Sequence, residues 1–253
     1  MLEPLLAFLS RKPEGDVPVS EAPGSADGAL DQLRVAFPGL DTMVGDRRVV
    51  DFGCGHGRQA VGLVQLGAKS VAGIDINEGF LEVARAHADR SGAGARVRFF
   101  TSLPEAEAGN WDLVISQDAM EHFGNPDRIL GDMFRILAPG GRAAITFSPP
   151  WLHPYGAHMH FFTPVPWVHL LFPERTVMRV RSRFRDDGAE RYEDVEGGLN
   201  RMTLRRFEAL VDRSPFIVES LRFTAIRGLP LVSRTPVLRE FVTSRVDCIL
   251  RKP

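Results

Sequence analysis

The chain of 253 residues has few cysteines, almost no net charge and no long hydrophobic run. Its only cysteines are Cys54 and Cys248, which excludes a disulfide framework and makes a reducing cytoplasm the expected location. A formal net charge of −1 argues against bulk electrostatic binding of nucleic acid or of an anionic membrane. No apolar run approaches the length that spans a bilayer. These absences leave an ordinary globular protein as the expected class.

A glycine-rich segment is the most informative feature that the chain does have. Residues 49–57 read Val-Val-Asp-Phe-Gly-Cys-Gly-His-Gly, which predicts a buried strand followed by a tight turn. Alternate glycines let the backbone approach a ligand without a Cβ atom in the way. A second apolar run, residues 70–74, ends at Asp75, where a carboxylate can accept hydrogen bonds from both hydroxyls of a ribose. The two features together predict a site for an adenosine-containing ligand.

The spacing of the glycines distinguishes between the adenosine ligands. A dinucleotide-binding fingerprint would need its third glycine at position 58, which is Arg58, whereas the third glycine here is Gly57. The Gly-Lys-Ser/Thr ending of a phosphate loop is absent. The segment resembles instead motif I of the class I S-adenosylmethionine (SAM)-dependent methyltransferases. Further motifs similar to those of this family follow in the expected order, at residues 73–77, 111–122 and 136–141.

The resemblance covers about residues 45–148 and implies a set of cofactor-binding residues. Asp75 would bind the ribose, Ile76 would pack on the adenine, and Asp51 would support the glycine loop. The family often carries an acidic residue after its third strand, where this chain has Thr-Ser-Leu. A hydroxyl such as that of Ser102 would have to replace it. The implied cofactor-binding residues are Asp51, Gly53, Cys54, Gly55, Gly57, Asp75, Ile76, Ser102 and Gln117.

Strand and helix patterns alternate along the same part of the chain. They predict an α/β fold with a Rossmann-like, doubly wound, mostly parallel sheet of seven strands and helices on both faces. The predicted strands are 47–52, 70–75, 96–100, 111–117, 142–148, 216–224 and 246–250. The predicted helices between them are 57–67, 78–91, 125–138 and 203–213.

The pattern also suggests how the chain is organised. Residues 1–44 are predicted to hold N-terminal helices and a flexible tether, because 11–28 are rich in Pro, Gly, Ser and acidic residues. Residues 45–253 would form the SAM-methyltransferase domain. The alternation stops after residue 148, so residues 149–200 are predicted to be an insertion after strand five. Such an insertion commonly covers the acceptor pocket in this family.

Three residues after the fourth strand could bind a metal. Asp118, Glu121 and His122 would share one face of a helical turn. Two carboxylates and an imidazole there predict, in one interpretation, a site for Mg²⁺ or another divalent cation. The segment resembles an element of the metal-dependent ubiquinone-pathway O-methyltransferases. In the other interpretation, the Glu-His pair packs the turn and contacts the cofactor without a metal.

A histidine cluster follows the fifth strand. Residues 153–162 contain three of the seven histidines of the chain. His158 or His160 is the favoured general base, and His122 is the third candidate. Asp118 would line the methyl-transfer centre beside Gln117. The alternative is a loop whose histidines hydrogen-bond the backbone.

Four arginines alternate along a possible strand face in residues 179–185. They could bind a carboxylate, a phosphate or an acidic sugar. More often such a run forms a solvated face, which the acidic residues of 186–196 would neutralise here.

The sequence thus predicts a SAM-dependent methyltransferase that acts on a small molecule, with a hydroxyl of a sugar, phenol or other metabolite as the favoured acceptor. The rivals are a C- or N-methyltransferase on the same fold and a SAM-binding protein without catalysis. No nucleic acid and no membrane span are expected. The acceptor, the need for a metal and the oligomeric state are left open by the sequence.

Overall fold

Seven strands form the frame of the described part of the chain. The computed structural model of the protein describes residues 2–10, 26–227 and 235–253. Most of the predicted tether, residues 11–25, lies outside this described part. The strands are β1 (Arg48–Phe52), β2 (Ser70–Ile74), β3 (Val97–Phe100), β4 (Trp111–Gln117), β5 (Leu137–Phe147), β6 (Ile217–Ala225) and β7 (Thr243–Arg251).

All seven strands lie in one sheet. Their order is β3-β2-β1-β4-β5-β7-β6. The first five strands pair in parallel, and β7 is antiparallel to both β5 and β6. The order reverses between β1 and β4, and ligands of doubly wound sheets bind at such a switch. The predicted mostly parallel, seven-stranded sheet is confirmed.

Ten helices surround the sheet in the described residues. Four of them match predicted helices closely, and the short helix before β7 was not predicted. The helices are α1 (Leu2–Leu9), α2 (Ala26–Ala36), α3 (Leu40–Val44), α4 (Arg58–Gln65), α5 (Glu78–Arg90), α6 (Pro126–Ile136), α7 (Val168–Leu171), α8 (Glu174–Arg181), α9 (Leu204–Arg213) and α10 (Pro236–Val242). None of the described helices is long and apolar enough to cross a bilayer.

Polar side chains fix where the longer helices begin. The Asn77 side chain accepts a hydrogen bond from the amide of Phe80 at the start of α5. The side chains of Asn125 and Thr203 do the same three residues ahead of themselves, at the starts of α6 and α9. These caps satisfy amide groups that the first helical turn leaves without partners.

Each face of the sheet carries its own apolar cluster. Neighbouring strand residues point to opposite faces, so Val49 joins one cluster and Val50 the other. The first cluster includes buried residues of α2, α4 and α5, and the second includes residues of α6 and α9. Helices therefore cover both faces, as predicted. Because α2 and α3 pack into the first cluster, residues 26–44 share the core of the sheet.

A third apolar cluster lies in the region between β5 and α9. It contains residues of α7 and α8, and Leu6 of α1 is fully buried in it. The region has short helices and turns without a described strand, as the loss of alternation predicted. That residues 149–200 are an insertion into the family fold stays a prediction.

The strand suggested for the arginine run is wrong. Residues 174–181 form α8, and the alternating arginines therefore do not share one face. Arg179 and Arg183 pair with Glu3, and Arg181 makes two hydrogen bonds to Asp187. Arg185 lies 4.1 Å above the ring of Phe161. These contacts give each arginine a partner within the protein and leave the anion-binding interpretation without support.

Candidate active site

The glycine loop joins β1 to α4 through left-handed backbone conformations. Gly53, Gly55 and Gly57 have φ angles of 84°, 49° and 73°, which side-chain-bearing residues rarely adopt. A Cβ atom at Gly57 would lie 2.7 Å from that of Ala84. A Cβ atom at Gly55 would meet nothing within 4 Å. The loop is thus closely packed at Gly57, while Gly55 borders open space in which a ligand could lie.

Asp75 ties this loop to the end of β2. Its Oδ2 accepts a hydrogen bond of 2.9 Å from the amide of Gly55, and its Oδ1 accepts one of 2.9 Å from the amide of Asn77. A carboxylate has about four acceptor positions, so each oxygen can accept one more hydrogen bond. The predicted ribose-binding residue is therefore held rigidly and has acceptor capacity left for two hydroxyls.

Asp51 supports the loop from below. Its side chain is 1% exposed, and its Oδ1 accepts a hydrogen bond of 2.6 Å from Gln59 at the start of α4. Burial raises the pKa of this carboxyl group to about 7, although the hydrogen bond from Gln59 opposes the rise. The bond holds the end of β1 to the helix that the glycine loop leads into.

Two further predicted residues differ sharply in exposure. Ile76 is 93% exposed, an unusual position for a large apolar side chain, and a flat apolar ring lying on it would cover it. Cys54 is buried among the first core cluster, and burial raises the pKa of its thiol. Cys54 is therefore a small packing residue, while Ile76 offers the surface that an adenine would need. Ser102 is exposed after β3.

Gln117 ends β4 and touches the N-terminal part of the chain. Its Nε2 donates a hydrogen bond of 3.1 Å to Oε1 of Gln32 on α2. Its own Oε1 is buried and has no partner among the described residues. Gln32 was not predicted from the sequence, because nothing in residues 26–36 indicates that this helix contacts Gln117, which lies 85 residues later in the chain.

Asp118 begins the turn after β4 with a left-handed backbone, at a φ of 46°. Its amide donates to the carbonyl of Thr146, and its Oδ1 accepts a hydrogen bond of 2.8 Å from the hydroxyl of Ser148. Burial raises the pKa of the Asp118 carboxyl group. Since the positive φ prevents a helical turn here, Asp118 does not share a helix face with Glu121 and His122, and that prediction is wrong.

Glu121 is a buried carboxyl group with one unused oxygen. Its Oε1 accepts a hydrogen bond of 3.2 Å from the amide of Ser148, and Oε2 has no partner among the described residues. The residue is 3% exposed. Burial raises its pKa to about 8, and the nearby charge of Asp118 adds to the rise. Glu121 is therefore mainly protonated at neutral pH.

His122 lies beside His158. Their rings are edge to face with centroids 5.5 Å apart. The Nδ1 of His122 is 2.6 Å from the carbonyl oxygen of Gly198. Because a carbonyl can only accept, Nδ1 carries the proton, and Nε2 of the neutral ring is left as an acceptor. Burial lowers the pKa of His122, while the Gly198 carbonyl and Asp118 oppose this change.

Of the three histidines in residues 153–162, one contacts His122 and two do not. Burial lowers the pKa of His158 to about 4, and the neighbouring His122 contributes. His160 is exposed, and its ring packs against Tyr155 with centroids 4.8 Å apart. The Nδ1 of His153 accepts a hydrogen bond from the Tyr155 amide. The structure thus brings together His122 and His158, and it leaves His160 at the surface.

The residues proposed as metal ligands are not grouped as a metal site in the described structure. Asp118 and Glu121 each use one carboxylate oxygen to accept a hydrogen bond from Ser148, and His122 uses Nδ1 to donate to a carbonyl. Within residues 2–10, 26–227 and 235–253, no three His, Cys, Asp or Glu side chains are grouped to hold a metal ion. The metal-free interpretation of the Glu-His pair is the one that the geometry favours.

Glu121 gives a test of this geometry through stability. Its pKa is about 8 in the folded state against a usual value of 4.5, so the folded state binds more protons and loses stability as pH rises from 4.5 to 8. Each pH unit costs about 1.4 kcal/mol, with an upper bound of roughly 5 kcal/mol over this window. Glu121→Gln removes the ionisation, so the variant is expected to be more stable than the wild type at pH 8.5 and no more stable at pH 4.

Thermal unfolding followed by circular dichroism at the two pH values measures the difference in Tm. Glu78→Gln is the matched control, because Glu78 is exposed and its side chain pairs only with Arg85 among the described residues. If both substitutions raised Tm equally at pH 8.5, the ionisation of the buried Glu121 would have no specific effect on the stability of the folded protein.

The glycine loop and the turn after β4 touch each other. A Cβ atom at Gly53 would lie 2.9 Å from that of Ala119, which follows Asp118. The residues predicted to hold the cofactor and those predicted to act on the acceptor are thus neighbours at one edge of the sheet.

Known proteins resemble the part of the chain that contains β1 to β5. Residues 50–145 match the protein family described as a methyltransferase domain. The resemblance inferred from the motifs is confirmed. A ubiquinone biosynthesis O-methyltransferase of Ruegeria pomeroyi is 40% identical over 95 residues, which are 37% of this chain and 38% of that protein. The chain spans about half or less of the length of the curated relatives it matches.

Solved structures share the fold over nearly the whole chain. A SAM-dependent methyltransferase from Mesorhizobium loti has a TM-score of 0.57 and 20% identity, covering 90% of this chain and 99% of that one. The [4+2]-cyclase SpnF has a TM-score of 0.59 and 17% identity, covering 100% and 92%. Because proteins with different activities share this fold, the similarity of structure supports the fold alone.

Proposed function

We propose that this protein transfers a methyl group from SAM to a hydroxyl group of a small molecule. The observation that carries the proposal is the contact between Gly53 and Ala119. It joins the loop that fits the cofactor to the turn that bears His122. A methyl donor bound at this loop would therefore lie near the turn, and correct positioning of donor and acceptor is the main requirement for this reaction.

The residues of the first half of the sheet fit SAM. Asp75 would accept hydrogen bonds from the ribose hydroxyls, Ile76 would cover the adenine, and the open side of Gly55 would face the methionine part. The unpartnered Oε1 of Gln117 would accept a hydrogen bond from the same part of the ligand. When bound, SAM would supply a methyl group on a sulfonium, which needs little further activation.

His122 is the best supported base. A hydroxyl acceptor must lose its proton as the new carbon–oxygen bond forms, and His122 Nε2 would take that proton. The resulting imidazolium would be stabilised by the Gly198 carbonyl and by Asp118, since both favour the charged ring. His158 is a weaker candidate, because burial and His122 both oppose its charge. The sequence favoured His158 or His160, so this assignment moves the base to the third candidate.

The relatives support oxygen as the methylated atom. The curated relatives are named ubiquinone biosynthesis O-methyltransferases. The family match, over residues 50–145, includes the turn after β4. The family match ends at residue 145, so it does not support any particular contact between residues 149–253 and the acceptor. The absence of nucleic acid as a partner and the cytoplasmic location stay predictions from the sequence.

The test is a binding measurement followed by an acceptor screen. Calorimetry with S-adenosylhomocysteine, the product form of the cofactor, is expected to give micromolar binding, and NAD is expected to give none. Hydroxyl-bearing metabolites are then screened for transfer of a labelled methyl group, with and without Mg²⁺, which is expected to make no difference. Binding without transfer to any hydroxyl, amine or carbon acceptor would favour a non-catalytic SAM-binding protein. The absence of binding by the folded protein would overturn the proposal.

A further inference from the structure

A short segment late in the chain makes hydrogen bonds to the turn after β4, which carries the proposed base. We call residues 197–200 the clamp. It precedes α9 and lies more than 70 residues from the turn in sequence. The amide of Asn200 donates a hydrogen bond of 2.9 Å to the carbonyl of Glu121. The clamp therefore contacts the backbone of the turn directly.

The side chain of Asn200 holds the turn at two more points. Its Nδ2 donates to the carbonyl oxygens of Met120 and Phe123, each at 2.8 Å. Two carbonyl partners require a donor, so the NH₂ group of the amide is assigned to this position by its contacts. Its Oδ1 is buried without a partner among the described residues. The two hydrogen bonds that Nδ2 donates therefore account for the position of this side chain beside the turn.

Glycines bring the clamp close to His122. Gly197 and Gly198 have φ angles of 79° and 70°. A Cβ atom at Gly197 would lie 3.3 Å from Nδ1 of His122, so a larger residue would press on the ring. The two glycines allow the carbonyl of Gly198 to approach Nδ1 to 2.6 Å.

The clamp is itself fixed to its surroundings. The amide of Gly198 donates to the carbonyl of Val195 at 2.6 Å, and Arg206 of α9 donates to the carbonyl of Asn200. Just beyond the clamp, the carbonyl of Met202 accepts a hydrogen bond of 2.7 Å from the amide of Trp151. The clamp thus connects the turn after β4 to the region after β5 and to α9.

We propose that Asn200 is a positioning residue, which with the Gly198 carbonyl holds His122 with its proton on Nδ1 and its Nε2 free. Asn200 fixes the distance between the turn and the clamp, and the carbonyl selects the tautomer. This role rests on the proposed function, in which Nε2 of His122 takes the proton of the acceptor. The tautomer itself can be observed without any acceptor, so the two ideas can fail separately.

Two substitutions of Asn200 remove its donors in different ways. Asn200→Asp keeps the shape of the side chain but points carboxylate oxygens at two carbonyl oxygens. Asn200→Ala removes the group and keeps the backbone hydrogen bond to Glu121. In both variants the ring of His122 is expected to lose its single tautomer, because the carbonyl of Gly198 no longer lies at a fixed distance.

Nuclear magnetic resonance of histidine labelled with ¹⁵N measures this directly. Long-range proton–nitrogen spectra of the wild type are expected to show His122 protonated on Nδ1, and spectra of the variants are expected to show a mixture. With an acceptor in hand, kcat is expected to fall about 10- to 100-fold, because small misplacements of a reacting group are costly. The affinity for S-adenosylhomocysteine is expected to stay within about 2-fold.

Thr203→Ala is the matched control. Thr203 caps α9 three residues after Asn200, and the described structure shows no hydrogen bond from its side chain to the turn, so its loss destabilises the same part of the chain and leaves the hydrogen bonds of the clamp in place. The control is expected to keep the wild-type tautomer and kcat. If Asn200→Asp does not fold, Asn200→Ala decides the question alone. A wild-type tautomer in a folded Asn200 variant, or an equal change in Thr203→Ala, would overturn the proposal.

Discussion

Asp75→Ala is expected to weaken the binding of S-adenosylhomocysteine by at least about 100-fold. The substitution removes the acceptors for two ribose hydroxyls, and hydrogen bonds to a charged group contribute about 1.5–3 kcal/mol each. It also frees the amide of Gly55, which Asp75 holds at 2.9 Å, so the glycine loop loses its tie to β2. Both effects act on the same ligand, and calorimetry measures their sum as a change in Kd.

Glu78→Ala is the matched control for this experiment. It removes the same charge three residues later, from an exposed side chain that pairs with Arg85 at 2.6 Å. Its Kd is expected to stay within about 2-fold of the wild type. A similar loss of affinity in both variants would point to the overall charge of this edge, and unchanged binding in Asp75→Ala would remove Asp75 from the cofactor site.

His122→Asn is expected to lower kcat by about 100- to 10,000-fold and to leave the affinity for S-adenosylhomocysteine unchanged. The asparagine NH₂ group can still donate to the carbonyl of Gly198, so the clamp keeps a partner on the turn. What the variant lacks is Nε2, the proposed proton acceptor, and a positioned base typically contributes a rate factor of this size. The experiment therefore separates proton transfer from the position of the turn.

The neighbouring histidines provide the comparison. His158→Ala is expected to reduce kcat much less, since its ring packs on His122 but is disfavoured as a base. His160→Ala is expected to have little effect, because His160 is exposed and packs on Tyr155. A large loss in either of these, together with a nearly normal rate in His122→Asn, would return the role of base to the histidine cluster.

Much of the cofactor half of the site could be predicted because it depends on local sequence. Glycines at 53, 55 and 57 are required by the backbone angles of a single loop, and Asp75 stands at the end of the next strand. Strand and helix alternation likewise determines the sheet, since each element needs one apolar face for the core. Such features are visible in windows of about ten to thirty residues.

The acceptor half could be predicted only in part, because it depends on contacts between distant segments. The spacing of Asp118, Glu121 and His122 suggested a helix face, but the left-handed backbone at Asp118 forms a turn. The arginines at alternate positions suggested a strand, yet residues 174–181 form a helix, and three of the four arginines, in the helix or just after it, meet acidic partners. No local pattern marked Gln32 or Asn200, whose roles exist only once the chain has folded.

The clamp has a consequence for how this protein would be compared with others. Every group that it contacts on the turn, apart from the ring of His122, belongs to the backbone. Residues 120, 121 and 123 could therefore change identity without losing these hydrogen bonds. A sequence alignment compares residue identities and would not detect a contact of this kind. The same clamp in another protein would be recognised only by superposing the structures, where an asparagine NH₂ group and a glycine carbonyl would contact the corresponding turn.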